Sequence, residues 1–200
     1  MEWRLEMARE KLTADRLSLF SDGVFAIVIT LMVLELKPPH GRDLGDLLEL
    51  WPEFLSYCMS YWFLAVVWIN HHHILRFAER ASQRLIWSNF AHLFTVSLIP
   101  FTTKWAADTD LSSAAVSLYA LVFVGVNATY LALCWELVDR PRGEPVSSRL
   151  RAMLKMRSLV TLALFLISAT VAYWLPYLGF AVVVFCLLLY TRPDVSEVDI

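Results

Sequence analysis

In the stretch Arg16-x-x-x-Phe20-Ser21-Asp22-Gly23 a carboxylate stands at the entrance of an apolar run that only Thr30 interrupts before Glu35. An ionisable group this close to the start of a membrane-length segment is costly. It persists where it faces protein or water and has partners. Arg16 and Ser21 lie on the same segment, and His71 or His72, Asn89 and Ser97 lie further along the chain. With Phe20 and Asp22 these residues form a candidate buried polar network anchoring the first apolar segment, since polar atoms inside a bilayer must find internal partners. The competing chemistry is a proton relay through Asp22 and the histidines.

Asn70-His71-His72-His73 invites a metal reading. Consecutive helical residues point about 100° apart, so three adjacent histidines do not converge on one ion, and zinc sites use spacings that return ligands to one face. No metal site is expected, and haem ligation has no better support. Cys58, Cys134 and Cys186 each sit inside apolar sequence, odd in number and without motif spacing, and read as small core residues. No nucleophile elbow, phosphate loop or His-Glu-x-x-His pattern supports an enzyme, and no catalytic residue or cofactor is assigned.

The elements that must position these residues follow from composition. The 200 residues are 58% hydrophobic and 18% charged, too apolar for a soluble domain of this length. A net charge of -2 is uninformative about nucleic acid, but no basic stripe interleaves with aromatics, and no nucleic-acid partner is expected. No cleavable signal peptide is expected from the mixed-charge start MEWRLEMAREKLTADR.

A bilayer-crossing helix needs about 20 apolar residues. On that scale one domain, 1–200, holds six spans near 18–37, 52–76, 85–106, 112–137, 153–173 and 175–191. The last two form a tight hairpin around Trp174-Leu175-Pro176, and Pro100 kinks the third, with Thr102 and Thr103 at hand for the freed carbonyls. The apolar runs are continuous rather than alternating, which disfavours strands. Trp62, Trp68, Trp105, Tyr173 and Trp174 near span ends suit interfacial belts.

Basic residues support this arrangement. Arg4, Arg9, Lys11, Arg16, Arg76, Arg80, Arg84, Arg140, Arg142, Arg149, Arg151, Lys155, Arg157 and Arg192 fall on one side, and only Lys37, Arg42 and Lys104 on the other. That asymmetry orients both termini toward the cytoplasm. The opposite side carries Glu35, Asp43, Asp46, Glu49, Glu53, Asp108 and Asp110, which would concentrate cations at a pore mouth.

On the first helix, Ile27, Thr30, Leu31 and Leu34 share a face, while Asp22 lies about 140° from Ile27. If copies of that face met around an axis, the constriction would be hydrophobic with one hydroxyl. Such constrictions gate by dewetting, and a hydroxyl ring can coordinate a partly dehydrated cation. The spacing alone favours the plainer reading, that those side chains face lipid or neighbouring helices.

Arg16-x-x-x-Phe20-Ser21-Asp22-Gly23, followed by Val24-x-Ala26-Ile27-x-Ile29-Thr30, resembles the signature of the TMEM175 family of potassium channels. The resemblance continues in Trp68-x-x-His71, in Asn89 and in Ser97-Leu98-Ile99-Pro100-Phe101, covering the first three spans. It implies an all-α membrane protein with six transmembrane helices per subunit. The expected assembly is a homo-oligomer, a tetramer, with the first helix lining a central pore. It also implies passage of monovalent cations, K+ foremost, past apolar layers at Ile27, Thr30 or Leu31, and Leu34, without a Thr-Val-Gly-Tyr-Gly filter. A single-repeat chain resembles prokaryotic plasma-membrane members. A shared axis also answers a size problem, because one small six-helix chain cannot enclose a hydrated path and still pack its own helices. The runner-up function is a proton- or ion-coupled transporter using Asp22 and the histidine cluster.

Overall fold

The computed structural model describes residues 2–39, 41, 43–78, 80–139 and 148–189, without side chains for 2–13 and 148–150. Arg42, Arg140, Arg142 and Arg192 of the charge pattern, and His40, lie outside the described residues, as do the side chains of Arg4, Arg9, Lys11 and Arg149.

All regular structure among the described residues is helical. The order is α1 (Glu2–Leu34), a 3₁₀ segment (Leu44–Leu50), α2 (Trp51–Leu75), α3 (Gln83–Ser97), α4 (Ile99–Asp108), α5 (Ser113–Cys134), a π turn (Trp135–Asp139), α6 (Ser148–Ala172) and α7 (Pro176–Leu189). With α3 and α4 taken as one broken rod, six helical rods result. Four stretches are long and apolar enough to cross a bilayer: Ala14–Leu34, Gln83–Asp108, Ser113–Asp139 and Arg151–Ala172. α2 has the length, at 25 residues, but its serines, tyrosines, asparagine and three histidines lower its hydropathy. α7 is apolar but only 14 residues long within the described chain.

Local chemistry explains the boundaries. α1 begins well before the apolar run, because the charged segment ahead of Arg16 continues the same helix. It stops at Leu34, with Glu35 and Leu36 bonded to the carbonyls three residues back, as expected ahead of the Pro38-Pro39 pair. The third rod breaks at Leu98, two residues before Pro100, which has no N–H to give. Thr102 Oγ1 donates to the Ile99 carbonyl at 3.1 Å and Thr103 Oγ1 donates to the same carbonyl at 2.7 Å, so both hydroxyls find partners beside the break.

α4 closes with a Schellman pattern: Leu111 N–H bonds the Ala106 carbonyl and Asp110 N–H bonds that of Ala107, with Asp110 at φ 48°. At the α6–α7 hairpin, Gly179 is needed for close approach: a Cβ there would sit 2.5 Å from the Ala172 Cβ and 2.7 Å from its Cα. Ser168 Oγ donates to the Gly179 carbonyl at 2.8 Å across the same joint.

α5 is the hub, packing on α3, α4, α6 and α7, while α1 lies outermost on α2, α3 and α4. The core centres on aromatic stacking: Phe63 and Phe123 lie 3.7 Å apart and nearly parallel, with Phe165 edge-on to both. A second cluster joins Leu17 of α1 to Leu75 at the end of α2, Leu85 at the start of α3, Leu133 at the end of α5 and Leu154 of α6. The rods therefore alternate in direction, and Arg16, Arg76 and Arg84 gather at one end.

Candidate functional site

α1 has two distinct faces. Ala14, Leu17, Ser21, Phe25, Val28 and Met32 are buried, at steps of three and four residues. The predicted stripe lies elsewhere: Ile27 is 58% exposed, Leu31 49% and Leu34 75%, and Thr30 is also exposed. Thr30 Oγ1 donates to the backbone, 2.9 Å from the Ala26 carbonyl and 3.0 Å from that of Ile27, which leaves its lone pairs outward. Ile27 and Leu31, with Val24 and Val28, border a groove toward Ser97, Pro100, Phe101 and Lys104.

Helix geometry ranks these positions. Taking 100° per residue, Thr30 lies about 180° from the centre of the buried face, Leu34 about 140°, Ile27 about 120° and Leu31 about 80°. Thr30 points most directly away from its own subunit, and Leu31 turns sideways toward α4.

The anchor is a hydrogen-bond chain of fixed direction. Ser21 Oγ donates its single proton to the Leu17 carbonyl at 2.9 Å, so it accepts from Asn89 Nδ2, also at 2.9 Å. That sets the Asn89 amide, whose Oδ1 is 2.8 Å from His71 Nε2; His71 therefore carries its proton on Nε2. Ser21, His71 and Asn89 are completely buried. The His71 ring touches Phe25 and stacks on His92, with centroids 5.5 Å apart and planes 7° apart.

Asp22 takes a different partner from those expected. Trp68 Nε1 donates to Asp22 Oδ1 at 2.8 Å. The sequence placed Trp68 in an interfacial belt; its indole N–H instead ties α2 to α1, four residues before His72 on one helix face. His72 joins only through ring contact with Trp68, at 5.5 Å. Arg16 is exposed and takes no part in these bonds, and Ser97 Oγ turns back to the Phe94 carbonyl. Phe20 reaches Phe90 of α3, with ring centroids 5.6 Å apart.

A further polar chain was not singled out in the sequence. Tyr119 OH lies 2.8 Å from Ser60 Oγ, which lies 2.7 Å from Thr103 Oγ1. Because Thr103 donates to the Ile99 carbonyl, the protons run one way: Tyr119 to Ser60 to Thr103 to Ile99. This chain clamps α2, α4 and α5 beside the Pro100 break.

The model of the endosomal/lysosomal potassium channel TMEM175 matches residues 16–100. A potassium channel from Chamaesiphon minutus is 35% identical over 138 residues, which cover 64% of this chain and 68% of that protein. The chain belongs to the TMEM175 family. A potassium channel from a Chryseobacterium species is 29% identical over 92% of this chain and 95% of that protein. The crystal structure of a lysosomal potassium-selective channel TMEM175 homolog from Chamaesiphon minutus superposes with a TM-score of 0.79 at 27% identity, covering 88% of this chain and 95% of that one. The bovine endosomal/lysosomal proton channel TMEM175 is 30% identical over 58% of this chain but only 28% of its own length. This TMEM175-family chain is accordingly an all-α integral membrane protein, and its Ser21–Asn89–His71 and Asp22–Trp68 bonds all fall within the matched residues.

Proposed function

We propose that this chain is a potassium-preferring cation channel whose pore lies on an axis shared by four copies, each contributing α1. Ile27, Thr30 and Leu34 line the axis, and Leu31 packs at its flank. The observation that supports this reading is the one-sided exposure of α1. Ile27, Thr30 and Leu34 stand outward and are open to copies of the same helix, while the Arg-x-x-x-Phe-Ser-Asp motif spends Ser21 and Asp22 on holding the helix in its own subunit. The relatives named potassium channels supply the permeant class. K+ is cargo here, and no resident cofactor takes part. Conduction is throttled where apolar rings at Ile27 and Leu34 dewet the path, and widening them opens it.

The basic end of the bundle faces the cytoplasm of a prokaryotic cell, with both termini inside, by the excess of Arg and Lys near the ends of the spans. The transporter reading has less behind it: among the described residues only the α3–α4 rod is interrupted by proline within its apolar run, whereas alternating-access folds break helices in matching halves.

Reversal potentials across vesicles in asymmetric K+ and Na+ test the proposal. The expected result is passive flux with a K+-weighted reversal potential, and higher conductance for Ile27→Asn, which wets the constriction. Uptake that requires a proton gradient, or currents unchanged in Ile27→Asn and Leu34→Ala, would overturn it.

A further inference from the structure

Arg16 and Leu34 both lie on α1, about five full turns apart, and so share one bearing around the helix. That bearing is about 140° from the centre of the buried face and about 40° from Thr30. From the basic end, the outward face therefore runs through Arg16, Gly23, Ile27, Thr30 and Leu34, all of them exposed. The apolar stretch of α1 begins at Ala14, which puts the guanidinium at the water boundary. It stands about 16 Å short of Ile27 along the helix.

Nothing within the subunit neutralises this charge. Arg16 makes no hydrogen bond or ion pair with the described residues. Asp15 is exposed about 100° around the helix; Asp22 lies about 120° around and is taken up by Trp68. Arg76, Arg80 and Arg84 are exposed near the same end and add only positive charge. An arginine at this depth that faced lipid would reach a headgroup. The bearing it shares with Leu34 points it where Leu34 points.

We propose that Arg16 makes conduction direction-dependent: four guanidiniums ring the cytoplasmic mouth of the pore and deplete K+ there. This rests on the channel reading, with α1 of each copy on the shared axis. The opposite end has the acidic excess of Glu35, Asp43, Asp46, Glu49, Glu53, Asp108 and Asp110, which enriches K+ at the other entrance. Ions entering from outside start from an enriched pool, and ions leaving the cytoplasm from a depleted one. At equal and opposite voltages the current is therefore larger inward. The ring acts through water over a Debye length of about 10 Å at 0.1 M salt. That is shorter than the distance to Ile27, so selectivity stays with the constriction while entry at the mouth belongs to Arg16.

Single-channel currents in inside-out patches from cells expressing the full chain test this, with equal KCl on both sides. At about 0.1 M KCl the inward current is expected to exceed the outward by about twofold or more, and at about 1 M, where the Debye length is about 3 Å, the two converge. Arg16→Gln should equalise them at the lower salt and leave the K+/Na+ permeability ratio unchanged. Arg16→Cys adds a test of charge itself. A trimethylammonium methanethiosulfonate applied to the cytoplasmic face should restore the asymmetry, and a sulfonate-bearing one should reverse it. Wild-type channels given the same reagents control for Cys58, Cys134 and Cys186. Wild-type currents equal in both directions at low salt overturn the proposal. So do Arg16→Cys currents indifferent to the sign of the attached charge, the outcome expected if Arg16 meets lipid headgroups or Asp15 of a neighbouring copy. Where Ile27→Asn still raises conductance in such patches, the failure is that of Arg16 alone; absence of any K+ current overturns the channel reading and this assignment with it.

Discussion

Trp68 Nε1 and Asp22 Oδ1 meet at 2.8 Å where α1 enters its apolar run, so the carboxylate that looked like the chain's reactive group is held by an indole of the neighbouring helix. A carboxylate accepting such a bond is fixed in rotamer, and with Ser21 one residue earlier bonded to Asn89, α1 is tied to two helices at adjacent residues. That double tie sets the rotation of α1 about its own axis, and hence which side chains it presents outward.

Loss of the indole N–H should therefore cost alignment more than stability. Interhelical side-chain bonds in membranes average about 0.6 kcal/mol and reach about 1.7, and Asp22 is half-buried. Trp68→Phe is expected to lower thermal stability in detergent by about 1 kcal/mol while changing unitary conductance. A Trp68→Phe channel with wild-type conductance would mean that Asp22 does not set the α1 rotation.

Asn89 carries two bonds at once. Asn89→Ala strands the His71 Nε2 proton and removes the donor to Ser21 in a fully buried place, where an orphaned donor costs about 1–3 kcal/mol. Asn89→Asp keeps the acceptor for His71 but presents a carboxylate oxygen to Ser21 Oγ. Thermal unfolding followed by loss of the monodisperse peak should show Asn89→Ala as the most damaging single change in this trio, ahead of Ser21→Ala.

The direction of protons in the Tyr119–Ser60–Thr103 chain makes its members unequal. Tyr119→Phe removes only a donor, and Ser60 still donates to Thr103, so about 0.6 kcal/mol is lost. Ser60→Ala strands the buried Tyr119 hydroxyl and deprives Thr103 of its donor, at about 1–2 kcal/mol. Equal losses in the two variants would contradict the one-way order.

Much of this architecture can be read from the residues. Continuous apolar runs located the rods, Pro100 marked the break in the third, and Trp174-Leu175-Pro176 marked the hairpin. The extent of α1 was less legible: hydropathy registers only the greasy part of a helix, so the charged turns before Arg16 looked like an arm. Polar residues stranded in apolar runs pointed to Ser21, His71 and Asn89, but which atom meets which depends on the rotation of each rod, and periodicity fixes spacing without fixing that angle. For this reason Trp68 read as a belt residue and Arg16 as a partner of Asp22. Thr103 was singled out only for its place beside Pro100, and its link through Ser60 to Tyr119 carried no signal, since such residues are common in apolar helices and these lie up to 59 positions apart. The same angle separates Thr30 from Leu31, one position apart on a shared stripe and resolved only by burial on the opposite side of α1.

That separation yields a decisive comparison. Thr30 lies about 180° from the buried face and Leu31 about 80°, so copies packed around an axis would turn the Thr30 hydroxyl inward and Leu31 toward α4. Thr30→Val keeps shape and removes the oxygen whose lone pairs are left outward by its bonds to the Ala26 and Ile27 carbonyls. If that oxygen coordinates a partly dehydrated K+, its loss is worth about 1 kcal/mol of discrimination, a roughly fivefold fall in the K+/Na+ permeability ratio with conduction retained. Leu31→Ala should leave the ratio near wild type, since it widens only the groove that Leu31 borders with Pro100 and Phe101. Bi-ionic reversal potentials for the two variants read this directly: a ratio that follows Leu31 and ignores Thr30 would place the axis on the α4 side of the helix and reverse the assignment.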